Sequence, residues 1–451
     1  MEGNKEGLLN TIKNEKGMAL ISVLIVFVVI TILGVGIITL AASNMKMSTG
    51  ERDNQSAYYI AESGITNEMK VINSLIPDMY KSSTILSDFF LKFDNEFVLK
   101  EIPVYDNFEE SFGQKPYAKI KIEPVSNINV LNPFTRDYKI TSTGTINNRS
   151  RSVVKIIHLT WNPKSNIKIA SDTVLFLGTD LDWHNTPAEI IGTVGLGKDA
   201  YTKFTGSKTP QIKEYADVTI NEPEFPVYTI PPNSRIFTDS KLIMDNDMYF
   251  SRITVNSNST LEINVGDKNR SIIVDRLEFL TNGKLKISGT GNLTIYVKTL
   301  SMSSGTIINT DGEASISKLN IFLEGSGSQI NNGVIYGSMF TKNTPEINTS
   351  FSINDTTGVQ GSFITGGRGT ITLNSNRTLA EQKAKMIFAP LANIDAQLNF
   401  KGTIVAKTFT SNGNNHGFVF TQPVNPPFYI DNGTVNISVN NLITSEPIME
   451  K

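Results

Sequence analysis

The stretch Met18–Ala42, MALISVLIVFVVITILGVGIITLAA, holds 25 residues without a charge, and it constrains this chain more than any other feature. Its only polar side chains are Ser22, Thr31 and Thr39. As a helix it is about 37 Å long, enough to cross a hydrocarbon layer of ~30 Å. A helix of a soluble core would show a polar face over that length, and this one has none. The apolar part of a cleaved secretory signal is shorter, ~7–15 residues. Ala41-Ala42-Ser43 offers only a weak small-residue cleavage site. A polar leader, MEGNKEGLLNTIKNEKG, precedes the run and ends at Lys16-Gly17. Lys5, Lys13 and Lys16 balance Glu2, Glu6 and Glu15, so flanking charge sets the orientation only weakly.

The helical pattern continues beyond Ala42. Ala57, Ile60, Ala61, Gly64, Ile65, Met69, Ile72 and Ile76 recur at three- and four-residue steps, and no proline intervenes before Pro77. One helix is predicted from Met18 to about Leu75, apolar all round in its first half and amphipathic in its second. Such a helix suits a membrane anchor that docks on a globular unit.

The run K-G-M-A-L-I-S-V-L-I, followed by Ala57-Tyr58-Tyr59-Ile60-Ala61-Glu62-Ser63-Gly64, resembles the N-terminus of type IV pilin-like proteins. The likeness is to PilX-like pilus assembly proteins with a class III-type signal, and it covers residues 14–76. It implies that a prepilin peptidase cuts after Gly17 and methylates the new N-terminus, Met18. It also implies roles in helix and filament packing for Ser22, Tyr58, Ala61, Glu62 and Gly64. Major pilins of this kind carry glutamate where this chain has Ser22. A carboxylate in an apolar run needs a positive partner, which in filaments is thought to be a neighbour's N-terminal amine. Lack of the glutamate resembles the tip subunits of related secretion systems.

Beyond the helix, Tyr117–Ile122 alternates as a strand does. Tyr138–Ile146 and Arg149–Trp161 flank Asn147-Asn148 and read as a hairpin, since asparagine tolerates a positive φ. His158 reads as a strand residue within it. From about residue 166 short apolar runs alternate with Gly/Asn/Ser turns. Val274-x-x-Leu277 recurs as Val297-x-x-Leu300 after 23 residues, and Asn282-Gly283 as Ser304-Gly305 after 22. Repeats of that length predict a right-handed parallel β-helix, a solenoid of stacked coils, with an antiparallel β-sandwich as the alternative. Phe388-Ala389-Pro390-Leu391-Ala392 and Lys401–Phe409 resemble the ectodomains of clostridial-type PilX-like proteins. Glu222–Asn233 carries Pro223, Pro226, Pro231 and Pro232, which bars a helix interior or a central strand. It reads as an extended linker or insertion. Leu379, Lys383 and Met386 predict a short helix over Arg377–Ile387.

Several chemistries are excluded by residue type. The chain has no cysteine, hence no disulfide, thiolate metal site or cysteine nucleophile. Its histidines, His158, His184 and His416, are too far apart for a helical metal pair. With 41 Lys+Arg against 43 Asp+Glu the chain lacks the basic excess of a dedicated nucleic-acid binder. Asp180/Asp182, Asp245/Asp247 and Asp311/Glu313 could face one another along strands as acid–base or cation sites, but aspartate is equally at home in turns. Gly366-Gly367-Arg368-Gly369 lacks the setting of a phosphate loop and reads as a tight turn. Arg368, Arg377, Lys383 and Lys385, near Glu381, form a loose basic cluster that reads as solvated surface, with DNA capture as the sharper alternative. Sequons such as Asn292-Leu-Thr294 are expected by chance in an Asn-rich chain.

These readings predict a mainly β protein in successive parts. They are a leader (1–17), a pilin helix (18–76, membrane-spanning over 18–42), a small α/β unit (77–165, hairpin 138–161), a β-solenoid (166–436, proline-rich insertion 222–233) and a C-terminal tail (437–451). The expected function is that of a minor pilin-like structural component at the tip of a filament or initiating it. No catalytic residue, cofactor or metal is expected. Its expected partners are prepilin peptidase, other pilins or minor pilins and the cytoplasmic membrane. It would be single-pass with its N-terminus inside before assembly, and at the cell surface or pilus tip afterwards. Two alternatives stand beside this: an anchored adhesin for a surface glycan or DNA, and an anchored polysaccharide-active enzyme.

Overall fold

The computed structural model describes residues 5–451 except 102, 111–114, 126–132, 166–169, 171, 184–188, 205–211, 216–223, 232–233, 326–327, 331, 343–350, 398, 412–416, 424–428 and 431–438. His184, His416, Pro223 and Pro232 lie outside the described residues.

The first helix, α1 (Lys5–Ser82), runs straight through the apolar stretch and the amphipathic one. The apolar stretch touches nothing else in the chain. The helix passes Pro77 and stops five residues later than the proline suggests. Proline removes one backbone bond, but Ile72, Ile76 and Tyr80 continue a buried stripe across it and hold the last turn by packing. Lys164 caps the end: its ammonium donates to the carbonyls of Tyr80 (2.8 Å) and Lys81 (3.0 Å), where the helix dipole favours a cation.

A short helix, α2 (Leu86–Phe93), leads into a wider turn at Asp94–Val98 and buries Phe89, Phe90, Phe93 and Phe97. The antiparallel strands Val104–Tyr105, Tyr117–Pro124, Thr135–Ile146 and Arg149–Thr160 follow in sheet order. The hairpin turns at Asn147, whose φ is +52°. The stretch 437–451 differs from the expected tail. Ile443–Ser445 and Met449–Glu450 return to pair antiparallel with Arg149–Thr160. Leu442 is fully buried there, and burying it and Ile443 favours docking over a free end. The helix-and-sheet unit is therefore discontinuous in sequence, and the β-rich body is inserted between Arg149–Thr160 and Ile443–Ser445.

Every described pairing in that body is parallel, so the antiparallel alternative does not hold. In the larger sheet Met248–Val255, Arg270–Phe279, Leu293–Met302, Leu319–Leu323, Ser338–Thr341, Phe363–Thr365, Lys385–Gln397 and Phe400–Ser411 stack in chain order. A smaller sheet stacks Lys241–Ile243, Thr260–Asn264, Lys284–Ser288, Thr306–Ile308, Gly333–Ile335 and Gly358–Val359 alongside. Equivalent turns carry Asn258, Asn282 and Gly305, with φ of +56°, +57° and +74°, and the Asn282 amide donates to Asn258 Oδ1 at 2.9 Å. The register pairs Val274 with Val297 and Leu277 with Leu300, the 23-residue repeat of the sequence, and puts Gly305 rather than Ser304 in the place of Asn282.

Chain order and stacking order part at one place. The earliest strand of the body, Thr173–Trp183, stacks on its last long one, Phe400–Ser411, and Thr193–Gly197 and Ile212–Tyr215 extend the sheet beyond it. The chain must then return to the opposite end to begin Ile236–Phe237, a distance of roughly 50 Å at ~4.8 Å per strand. The described part of the proline-rich segment, residues 224–231, lies along that return as a strap. Phe225 meets Phe340 (ring centroids 5.2 Å apart) and Phe322 (6.3 Å), Tyr228 meets Tyr296 (5.5 Å), and the Tyr228 hydroxyl donates to the Val297 carbonyl at 2.8 Å.

Both faces of the large sheet are buried, which is why its strands read as unbroken apolar runs. Inward, Ile272, Ile295, Ile321, Met339, Phe363, Ile387, Ile404 and Leu175 form one ladder of the body's own core. Outward, Ile273, Tyr296, Phe322, Phe340, Ile364, Phe388, Val405 and Phe176 form a second, and these share one core with Phe89, Phe90, Phe134 and Trp161 of the helix-and-sheet unit. Phe134 stands 5.5 Å from Phe322 and 6.4 Å from Tyr296. Residues 377–387 differ from the expected helix: a turn at 379–382 leads into strand Lys385–Gln397. The ladder positions of Ile387 and Phe388 outweigh the local helical spacing.

Candidate functional site

The candidate site is α1 from Gly17 to its seat on the sheet. Gly17 and Met18 lie within continuous helix, and Met18 is exposed. Ser22, Thr31 and Thr39 each donate a hydroxyl to the carbonyl four residues earlier, at 3.0, 2.7 and 2.8 Å. Each polar side chain of the apolar stretch is thus satisfied inside its own helix, as a hydrocarbon surrounding requires. Ser22 bonds the carbonyl of Met18, one turn away. It needs no neighbour where a glutamate would.

Ala57, Ala61 and Gly64 face the hairpin, and their small size sets how close the helix comes. A Cβ built on Gly144 would lie 2.2 Å from the Ala57 carbonyl oxygen and 2.4 Å from the Ala61 nitrogen. A Cβ on Gly64 would lie 2.6 Å from Ser142 Oγ and 2.8 Å from Ala118 Cβ. The A-x-x-x-A-E-x-G spacing is thus a stripe of backbone-to-backbone contact within the subunit. Tyr58 and Glu62 flank the stripe half-buried, and Tyr59 is exposed with its ring edge-on to Tyr58 at 5.7 Å. Gly144 is not among the residues singled out from sequence. Its signal is a glycine inside a strand of β-branched residues, which marks close approach by another backbone.

Two carboxylates fasten the same seat. Asp53 accepts from Asn147 Nδ2 at 2.8 Å and from Arg52 at 3.1 Å, and these contacts, the Asn147 bond foremost, hold its carboxyl below the usual range against the cost of burial. Glu68 is buried and accepts the Tyr105 hydroxyl at 2.7 Å. Burial raises its pKa and the hydrogen bond only partly opposes that.

The remaining candidates are scattered. Asp247 accepts the Ser271 backbone N–H at 2.8 Å in a turn. Glu313 is ion-paired with Arg377, which also approaches Asp355 at 3.5 Å. Part of the expected basic cluster is therefore neutralised. Lys385 is pushed down to about 8, by burial first and by Arg377 second. His158 bonds Asp137 at 2.7 Å and lies 3.6 Å from Glu446 next to the returning C-terminal strand. Among the described residues no three His, Asp or Glu side chains gather as a metal site.

Residues 16–66 match the PilX N-terminal family. No curated protein matches the chain. Among solved structures, the competence-associated pilin ComZ from Thermus thermophilus aligns over 89% of this chain and 98% of its own, at 8% identity and a TM-score of 0.24. The family match spans Gly17, Ser22 and the Ala57–Gly64 stripe, so it is this N-terminal segment that resembles PilX-like type IV pilins.

Proposed function

We propose that this pilin-like chain is a minor subunit at the tip of a type IV pilus or related filament, or one that initiates it. The observation that carries the reading is the core shared between the helix-and-sheet unit and the β-rich body. We read the stacked strands as a right-handed parallel β-helix, since parallel crossovers are right-handed in nearly all known cases. Residues 77–82, which the sequence offers as a short hinge after the anchor, are helical. A long rigid body fixed to its pilin unit would collide with its neighbours at the spacing of a shaft. Ser22 supports the same reading, because its hydroxyl bonds within its own helix and asks for no subunit above.

Processing in this reading follows from the family. Prepilin peptidase cuts after Gly17 and methylates Met18, and the chain passes from a single-pass membrane form, N-terminus inside, to the surface. The role is structural and not enzymatic. Support comes from the candidate carboxylates Asp247 and Glu313, one accepting a backbone N–H and the other ion-paired, and from the aromatic ladder, which is buried under the pilin unit and strap instead of lining an open groove as an adhesin's platform would.

Immunogold labelling of filaments, with N-terminal sequencing of the labelled protein, tests this. Label at filament ends or confined to the envelope, on a chain starting at methylated Met18, is the expected result. Regular label along the shaft overturns the tip placement. A mature chain starting at Met1 or Ser43 overturns the processing.

A further inference from the structure

Where α1 leaves its apolar stretch, the hairpin tip comes down beside it and encloses a groove of about 630 Å³, running from Ala42 to Asp53 on the helix and over Asn147–Arg149 on the tip. The groove carries two cations. Lys46 lies one turn past Ala42, and the Arg149 guanidinium lies against Gly50, where even an added Cβ would come within 3.4 Å of its Nη2. Asp53 lines the same groove and offsets them only in part, Arg149 being the smallest of the influences that lower its pKa. One of its oxygens is taken by Asn147 and the other by Arg52. Among the described residues no carboxylate stands within ion-pairing distance of Lys46 or Arg149.

Depth supplies the second constraint. At 1.5 Å per residue, Lys46 is about 6 Å and Gly50 about 12 Å beyond the end of the apolar stretch. A bilayer's headgroup layer occupies roughly 5–8 Å on each side of its hydrocarbon. Lys46 thus borders a polar groove at phosphate depth and Arg149 stands about one turn further out, with Ala42 lining the groove's membrane end.

We propose that this groove seats the phosphate of an anionic phospholipid in the leaflet next to Ala42. Lys46 meets it from the helix and Arg149 from the hairpin tip, whose position Asp53 and Asn147 fix. The proposal rests on membrane anchoring by residues 18–42 but not on the filament position. The bound lipid couples the anchor to the sheet while the chain waits in the membrane, and leaving the bilayer releases it.

The test uses the full chain in mild detergent with native mass spectrometry, phosphatidylglycerol and phosphatidylcholine being supplied in turn. Retention of one phosphatidylglycerol, with phosphatidylcholine held much less, is expected. Lys46→Gln with Arg149→Gln should lower retention about tenfold or more, since each basic residue near a membrane surface contributes independently. Both side chains are exposed, so the double variant should keep the parent's circular dichroism. Equal retention by parent and double variant, or equal retention of the two lipids, overturns the proposal. Displacement of the lipid by millimolar inorganic phosphate would mean a free-anion site and would also overturn it. A chain that stays dispersed without detergent or lipid refutes the anchoring itself, which separates that failure from failure of the groove.

Discussion

Two glycines, Gly64 and Gly144, decide how close the anchor helix lies to the sheet. Gly144→Ala places a methyl 2.2 Å from a backbone oxygen that cannot rotate away. The helix must shift, at a cost of about 1–3 kcal/mol for overpacking. A lower thermal midpoint of the full chain in detergent checks this, and an unchanged midpoint would mean that the helix is not held as described. Glu68 gives a pH-dependent effect. Its folded pKa is raised above the ordinary 4.5, so the folded state holds the proton more firmly than the unfolded chain, and stability is lost as pH rises through the folded value. Glu68→Gln keeps an acceptor for Tyr105 and has no proton to lose. The variant's midpoint should pull ahead of the parent's from about pH 4.5 towards neutrality, and melting curves across that range measure it. The small-residue stripe was legible as sequence. Gly144 was legible only through its neighbours, because a lone glycine becomes meaningful once the strand around it is recognised.

At the scale of elements, legibility followed locality. The long helix and the Asn147-Asn148 hairpin depend on neighbouring residues, and both appear, the helix running past both expected ends to span Lys5–Ser82. The strands Ile443–Ser445 and Met449–Glu450 are too short to carry a periodic signal, and their partners lie in Arg149–Thr160, across the whole body. Residues 377–387 misled because helical spacing is local while the column that claims Ile387 is assembled from distant coils. The same non-locality yields an expectation. Deleting residues 439–451 uncovers the edge of Arg149–Thr160 and removes Leu442 and Ile443 from the shared core. Limited proteolysis should then cut the helix-and-sheet unit first while the parallel stack resists. Equal resistance of the two parts would show that the returning strands contribute nothing.

On the scale of the whole molecule, the sequence conveyed the sum of parts but not their nesting. Repeats announce coils, and an apolar run announces an anchor. Nothing in either says that the coils are threaded between two strands of the unit that the anchor carries. The outward ladder from Ile273 to Phe176 is likewise invisible as a docking face, because an apolar run buried on both sides looks the same whichever face meets a second body. The nesting also changes what it takes to be finished. A chain interrupted anywhere inside the body keeps its long helix and the first strands of its sheet, yet it lacks the residues that close that sheet. Such copies would carry an open edge along Arg149–Thr160. The late return of residues 443–450 leaves the first unit unfinished until every coil before it has been made.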